Sequence, residues 1–108
     1  GMLVTDADGK IVAVNPAFVQ LTGYSETEVL GSKPSILKSG RQNSEFYGIM
    51  WNEIRSHGTW HGEIWNRRKN GEEYLQWLTI SSVKDEAGQD VRYVGTFSDI
   101  TSKAATSR

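Results

Sequence analysis

The sequence predicts an α+β domain: a five-stranded antiparallel sheet with short helices packed on one face. Three features of its 108 residues point there. Two short β-branched runs joined by an Asp/Gly turn open the chain. Short, well-capped helical segments fill the middle, and three long strand patterns close it. With the helices grouped between strands, rather than alternating with them, they gather on one face of an antiparallel sheet.

The first run, Met2-Leu-Val-Thr5, is ended by Asp6-Ala-Asp-Gly9, and Lys10-Ile-Val-Ala-Val14 follows at once. This reads as a hairpin. Asn15-Pro16 supplies an N-cap and a first-turn proline, so a short helix is expected over Pro16 to Thr22, closed by Gly23. Ser25-Glu-Thr-Glu28 is a capping box that starts a second one-turn helix ending at Gly31. The stretch from Ser32 to Asn43, with Pro34 and Gly40, is expected as loop or irregular helix. Ser44 to His57 is the strongest helix. Phe46, Tyr47, Ile49, Met50 and Ile54 fall near the 3.6-residue period with Trp51 beside them, and Gly58 stops it. Strands are expected over Trp60 to Arg67, Glu73 to Val83 and Val91 to Ser98, with turns at Lys69-Asn-Gly71 and Asp85-Glu-Ala-Gly88. The polar tail, Ser102 to Arg108, reads as the start of a linker.

Composition excludes several classes of function. A net charge of -1 gives no electrostatic case for nucleic acid or an anionic membrane surface. The chain contains no cysteine, which removes disulfides, thiolate metal sites and thiol nucleophiles, and fits a reducing, cytoplasmic location. No apolar run approaches the roughly 20 residues that span a bilayer. Direct membrane contact is therefore not expected of this segment, although it would also suit the cytosolic part of a membrane-anchored protein. The opening Gly1-Met2-Leu3, already inside an apolar run, is expected to be the edge of a piece of a longer chain. His57 and His61 are separated by Gly58 and lie on a helix end and a strand start, so no metal site is expected of them. No serine stands in a nucleophile elbow, and Glu26, Glu28 and the Glu72-Glu73 pair read as surface charge, so no catalysis is expected. Arg67-Arg68-Lys69 reads as solvated turn charge.

Taken in order, a set of short motifs resembles one known family. Asp6-Ala-Asp-Gly-Lys-Ile11, Asn15-Pro-Ala-Phe18, Leu21-Thr-Gly-Tyr-Ser25 and Glu28-Val-Leu-Gly31 look like the first half of a PAS domain. Gly62-Glu-Ile-Trp-Asn-Arg-Arg-Lys-Asn-Gly71, the run from Leu78 to Gly88, and Ser98-Asp-Ile-Thr101 look like its second half, the PAC motif. The middle, Pro34-Ser-Ile-Leu-Lys-Ser-Gly40 with Phe46-Tyr47 and Met50-Trp51, resembles the branch found in bacterial proteins with cyclic-di-GMP (GGDEF or EAL) outputs and in sensor kinases. It is also similar to the flavin-binding redox sensors of nitrogen-fixation regulators. The resemblance implies a PAS sensory domain over residues 1–101 that dimerises and hands a signal to a C-terminal output domain, a cyclic-di-GMP enzyme first among the candidates. A flavin-binding redox sensor of a kinase or regulator, or a ligand-free dimerisation module, are the alternatives.

In this fold the pocket lies between the inner sheet face and the helices. The light-sensing flavin branch uses three amides there. By resemblance these positions fall on Asn66, Gln76 and Phe97, and the last cannot make an amide's hydrogen bonds. The photoreactive cysteine position falls near Pro34, so a photochemical flavin adduct is excluded for want of any thiol, while FAD as such is not. Strand alternation places Ile64, Leu78 and Ile80 on the same side as Asn66 and Gln76, an apolar wall with two polar handles. The other reading is a core filled by side chains, with both amides bonded to neighbouring backbone.

The same alternation puts Trp65, Leu75, Trp77, Val94 and Thr96 on the opposite face, which is too apolar for a solvated sheet surface. A flanking helix or a second copy, giving a homodimer, is expected to cover it. Asp99-Ile100-Thr101 is expected to cap the departing helix and, by resemblance, to couple the domain to its output.

Overall fold

The computed structural model describes residues 1–101, so the expected linker over 102–108 lies outside the described residues. Its elements are β1 (Met2–Asp6), β2 (Ile11–Val14), α1 (Pro16–Thr22), α2 (Glu26–Val29), a 3₁₀ turn (Pro34–Leu37), α3 (Ser44–His57), β3 (Thr59–Arg67), β4 (Glu73–Lys84) and β5 (Asp90–Asp99). They form the expected antiparallel sheet, in the order β2-β1-β5-β4-β3, with the helices on one face. The first hairpin therefore docks its β1 against the last strand, and β5 runs between β1 and β4.

Local chemistry explains each boundary. Asp6 makes the first hairpin turn by accepting from the Asp8 and Lys10 amides at 2.9 and 3.0 Å. The Asn15 side chain caps α1 through the Phe18 amide at 3.0 Å and also accepts from the Met2 amide at 2.9 Å, tying the helix to β1. Ser25 and Glu28 form the expected reciprocal capping box on α2. Asn43 caps α3 at its start, and Gly58, with φ at 80°, closes it in a conformation other residues adopt only with strain. The free edge of β2 is met by Gly31 and Ser32, whose backbone exchanges two hydrogen bonds of 2.8 Å with Ile11.

The core lies between the sheet and the helices, where Phe18 meets Phe97 edge-on at 5.8 Å beside Ile11, Val29 and Ile54. Each fully buried side chain of this kind contributes about 1.5–3 kcal/mol. One expectation changes. Ile49, counted on the apolar stripe of α3, is 56% exposed. At 100° per residue Ile49 and Trp51 flank Met50 on opposite sides, and the larger Trp51 takes the inward side, packed edge-on against Tyr93 at 5.2 Å.

Candidate functional site

The inner faces of β3, β4 and β5 bring together all the side chains expected to line a pocket. Register places Ile64 opposite Gln76 and Leu78 opposite Phe97, with Asn66 one step further along β3. Asn66, Gln76, Ile64, Leu78 and Phe97 are all buried, and with Ile80 they form one wall. Leu37 from the 3₁₀ turn and Met50 and Trp51 from α3 stand opposite. Between them lies a cavity of about 440 Å³, so side chains do not fill this part of the domain. That volume suits a small organic molecule.

The two amides are not equivalent. The Asn66 amide has one orientation that satisfies its neighbours: Nδ2 donates to the carbonyls of Leu37 and Trp65, each at 3.1 Å, and Oδ1 accepts from Gln76 Nε2 at 3.1 Å. Asn66 thereby staples the 3₁₀ turn to β3. Gln76 Oε1 is buried and has no hydrogen-bond partner among the described residues.

Beyond these amides the inner face changes character. Tyr74, paired with Asn66, is fully buried under the Arg68 guanidinium, which lies 4.1 Å from its ring centre. Burial pushes the Tyr74 phenol up to about 12, and the Asp99 charge adds to this. Arg68 pulls the other way, as does Asn66, which does not reach hydrogen-bond geometry with the phenol.

Arg68 also holds the end of the sheet. Its guanidinium donates to Asp99 Oδ2 at 2.6 Å, to Glu72 at 2.6 Å and to the Leu21 carbonyl at the end of α1 at 2.5 Å. Asp99 Oδ1 accepts from the Thr101 amide at 2.9 Å, in the manner of an N-cap, and Thr101 is already helical. Burial alone would raise the Asp99 carboxyl. Hydrogen bonds from Thr101 and Arg68 outweigh it and hold the group below the usual carboxylate range. The Ile100 amide donates to the Leu75 carbonyl at 2.9 Å, and the Leu75 amide to Thr101 Oγ1 at 3.0 Å. Asp99, Ile100 and Thr101 are thus each tied back to a neighbouring element.

Sequence reasoning missed Arg68. Its side chain is 18% exposed and joins three elements, so it is not a freely solvated turn charge. The signal was an arginine just before a strand turn, on the strand pair whose far partner ends in aspartate. Gln42 was missed too. Its side-chain amide donates to and accepts from the Trp65 backbone, both at 2.9 Å, and so covers the β3 edge.

The outer face also differs from expectation in one residue. Trp77 is 43% exposed, with His61 tilted beside it at 5.8 Å. Trp65 and Val94 are half-buried, Thr96 is exposed, and the Arg41 guanidinium stacks 4.0 Å from the Trp65 ring centre. Leu75, expected to await a partner, is already 8% exposed within the domain, because Ile100 and Thr101 fold back over its backbone.

Comparison with known proteins agrees with this architecture. A family model described as PAS domain matches residues 1–102. The chain is 34% identical over 98 residues to the nitrogen fixation regulatory protein of Klebsiella oxytoca, covering 91% of this chain and 20% of that protein. It is 30% identical over 103 residues to the blue-light-activated histidine kinase of Brucella anthropi, covering 93% of this chain and 21% of that one. The chain thus spans about a fifth of the length of these relatives. The crystal structure of the PAS domain of a protein from Colwellia psychrerythraea superposes with a TM-score of 0.87 at 26% identity, covering 94% of this chain and 86% of that one. With a family match along the whole described fold, the chain belongs to the PAS domain family, whose members are regulatory sensory domains of larger signalling proteins.

Proposed function

We propose that this domain is the input of a larger signalling protein, that it holds a small molecule between sheet and helices, and that it passes the occupied state out through Asp99, Ile100 and Thr101. One observation carries the reading: Gln76 lines the cavity and is the direct cross-strand partner of Asp99. Residues directly opposite in an antiparallel pair share a face, so the cavity wall and the exit are adjacent. A ligand that moves Gln76 strains the strand pair at the residue held by Arg68.

The output lies in a C-terminal domain of the same protein. Both relatives compared above, a nitrogen fixation regulatory protein and a histidine kinase, favour a regulator or kinase, beside the cyclic-di-GMP output that the motif resemblance implies. FAD is one candidate ligand. Of the three amide positions of the light-sensing branch, Asn66 is engaged by backbone and Phe97 carries no amide, which leaves Gln76 with an apolar floor of Ile64 and Leu78 to meet a ring edge.

Native mass spectrometry of the purified domain, with a visible spectrum, tests the reading. We expect a mass above that of the bare chain, and flavin absorption if the ligand is FAD. A bare mass, unchanged after exposure to a metabolite extract, would count against a ligand-holding input.

The exposure of Trp77 supports a second element of the proposal, a homodimer or flanking helix seated on the outer face. Trp77→Glu should shift a dimeric wild type toward monomer in sedimentation velocity, because a carboxylate there would be buried unpaired. An unchanged mass in a dimeric protein would exclude this face.

A further inference from the structure

We propose that the cavity takes an amphiphilic anion, with an apolar body enclosed between sheet and helices and a carboxylate or phosphate held at the mouth by Lys33 and Lys38. This rests on reading the cavity as a ligand site.

The lining divides by polarity between its buried and its exposed parts. Leu37, Met50, Ile64, Leu78 and Phe97 are buried and offer a ligand only hydrocarbon. The buried polar side chains are bonded within the protein: Thr5 donates to the Asp6 carbonyl at 2.9 Å, and Asn66 is bonded to two backbone carbonyls and to Gln76. Among the described residues, the charged side chains that line the cavity are Asp8, Lys33 and Lys38, and all three are exposed. They mark where the cavity meets solvent. Asp8 stands on one lip, in the β1–β2 turn, while Lys33 and Lys38 bracket the 3₁₀ turn.

Neither lysine has a carboxylate within ion-pair distance among the described residues, whereas Arg41, Arg68, Lys69 and Lys84 each have one. Lys38 Nζ lies instead over the ring of Tyr47, 4.1 Å from its centre, and Tyr47 also lines the cavity. That contact keeps the ammonium at the mouth and leaves its charge without a counter-ion. The mouth therefore holds two cations against one anion. An apolar body gains from burial whatever its end group. An anionic end adds charge-assisted contacts with both lysines, stays partly hydrated at the lip, and is opposed by Asp8 alone. A cationic end meets the reverse balance.

Matched pairs titrated calorimetrically into the intact domain test this: octanoate against 1-octanol, and 1-naphthyl phosphate against 1-naphthol. The anion of a pair should bind at least about fivefold more tightly at low salt, and the advantage should shrink as salt is added. A preference confined to one pair supports the inference and tells carboxylate from phosphate. Lys33→Gln with Lys38→Gln should bring the members within about twofold of one another, and Asp8→Asn should widen the preference by about twofold. These side chains are exposed, so the substitutions spare the core. Equal binding of both members by the wild type overturns the anion rule while leaving the cavity reading intact. A preference that survives the double substitution overturns the assignment to Lys33 and Lys38. A preference that Asp8→Asn narrows overturns the placement of the charged end at this mouth. Binding of no member of either pair overturns the cavity reading and this inference with it.

Discussion

Asn66 and Gln76 carry the same amide on neighbouring strands, and their surroundings give them different work. Period-two alternation was enough to turn both inward, because the pleat leaves no other choice once Ile64 and Leu78 face the core. What each amide meets depends on the Leu37 carbonyl, delivered by a 3₁₀ turn in a stretch with no regular pattern to read. Two equal handles were therefore the natural expectation, and one staple and one buried, unpaired acceptor are the result. Asn66→Ala removes both donors and strips Gln76 Nε2 of its acceptor. It should cost about 1–3 kcal/mol in urea unfolding, as for other buried groups left unpaired. A loss under about 0.5 kcal/mol would mean that Asn66 holds nothing.

At the level of elements, most of the fold was legible. Helix caps are local chemistry: Asn15-Pro16, the Ser25/Glu28 box and Gly58 each act on backbone within a turn, and each stands where the sequence reading put it. Strand patterns are equally local, which is why β3, β4 and β5 were placed within a residue or two of their observed ends. The exit was half legible. Asp99 and Thr101 could be read as a cap, but Arg68 is distant in sequence from both Asp99 and Leu21, and only the closed sheet brings the three together. If Arg68 holds the exit, Arg68→Gln and Asp99→Asn should each speed hydrogen exchange at the Ile100 and Thr101 amides by about tenfold. The double variant should be little worse than either single one, as expected of partners in one contact. Arg41→Gln, which loosens an ion pair at the edge of the outer face, serves as the control and should leave those amides unchanged. Additive effects of the two exit variants would separate Arg68 from Asp99.

Across the whole molecule, three ion pairs gather around the β3–β4 turn and tie it and the start of β4 to α2, to the loop before α3 and to the end of β5, which gives the domain an acid-sensitive seam. Lys69 donates to Glu28 of α2 at 2.5 Å, Arg41 to Glu73 at 2.5 Å, and Arg68 to Asp99 at 2.6 Å. The hydrogen bond from Lys69 lowers Glu28 from 4.5 to about 2, and that from Arg41 lowers Glu73. Asp99 is lowered as well, by Thr101 and Arg68 against its burial. A carboxyl held below its unfolded value stabilises the fold at every pH above that value, and the contribution fades as pH falls toward the folded one. For Glu28 the window runs from about 4.5 down to about 2. The Lys69–Glu28 and Arg41–Glu73 pairs are half-exposed, so each contributes little and salt weakens it further, whereas the Arg68–Asp99 pair is the more buried of the three. The melting temperature should accordingly hold steady from pH 7 to about 5 and then fall continuously toward pH 2. Lys69→Met should lower it at pH 7 and make the decline shallower, because only the Ser25 hydrogen bonds then hold Glu28 below its ordinary value in the folded state. A decline of the same depth in Lys69→Met and the wild type would place the acid sensitivity elsewhere than at the junction of α2 with the β3–β4 turn.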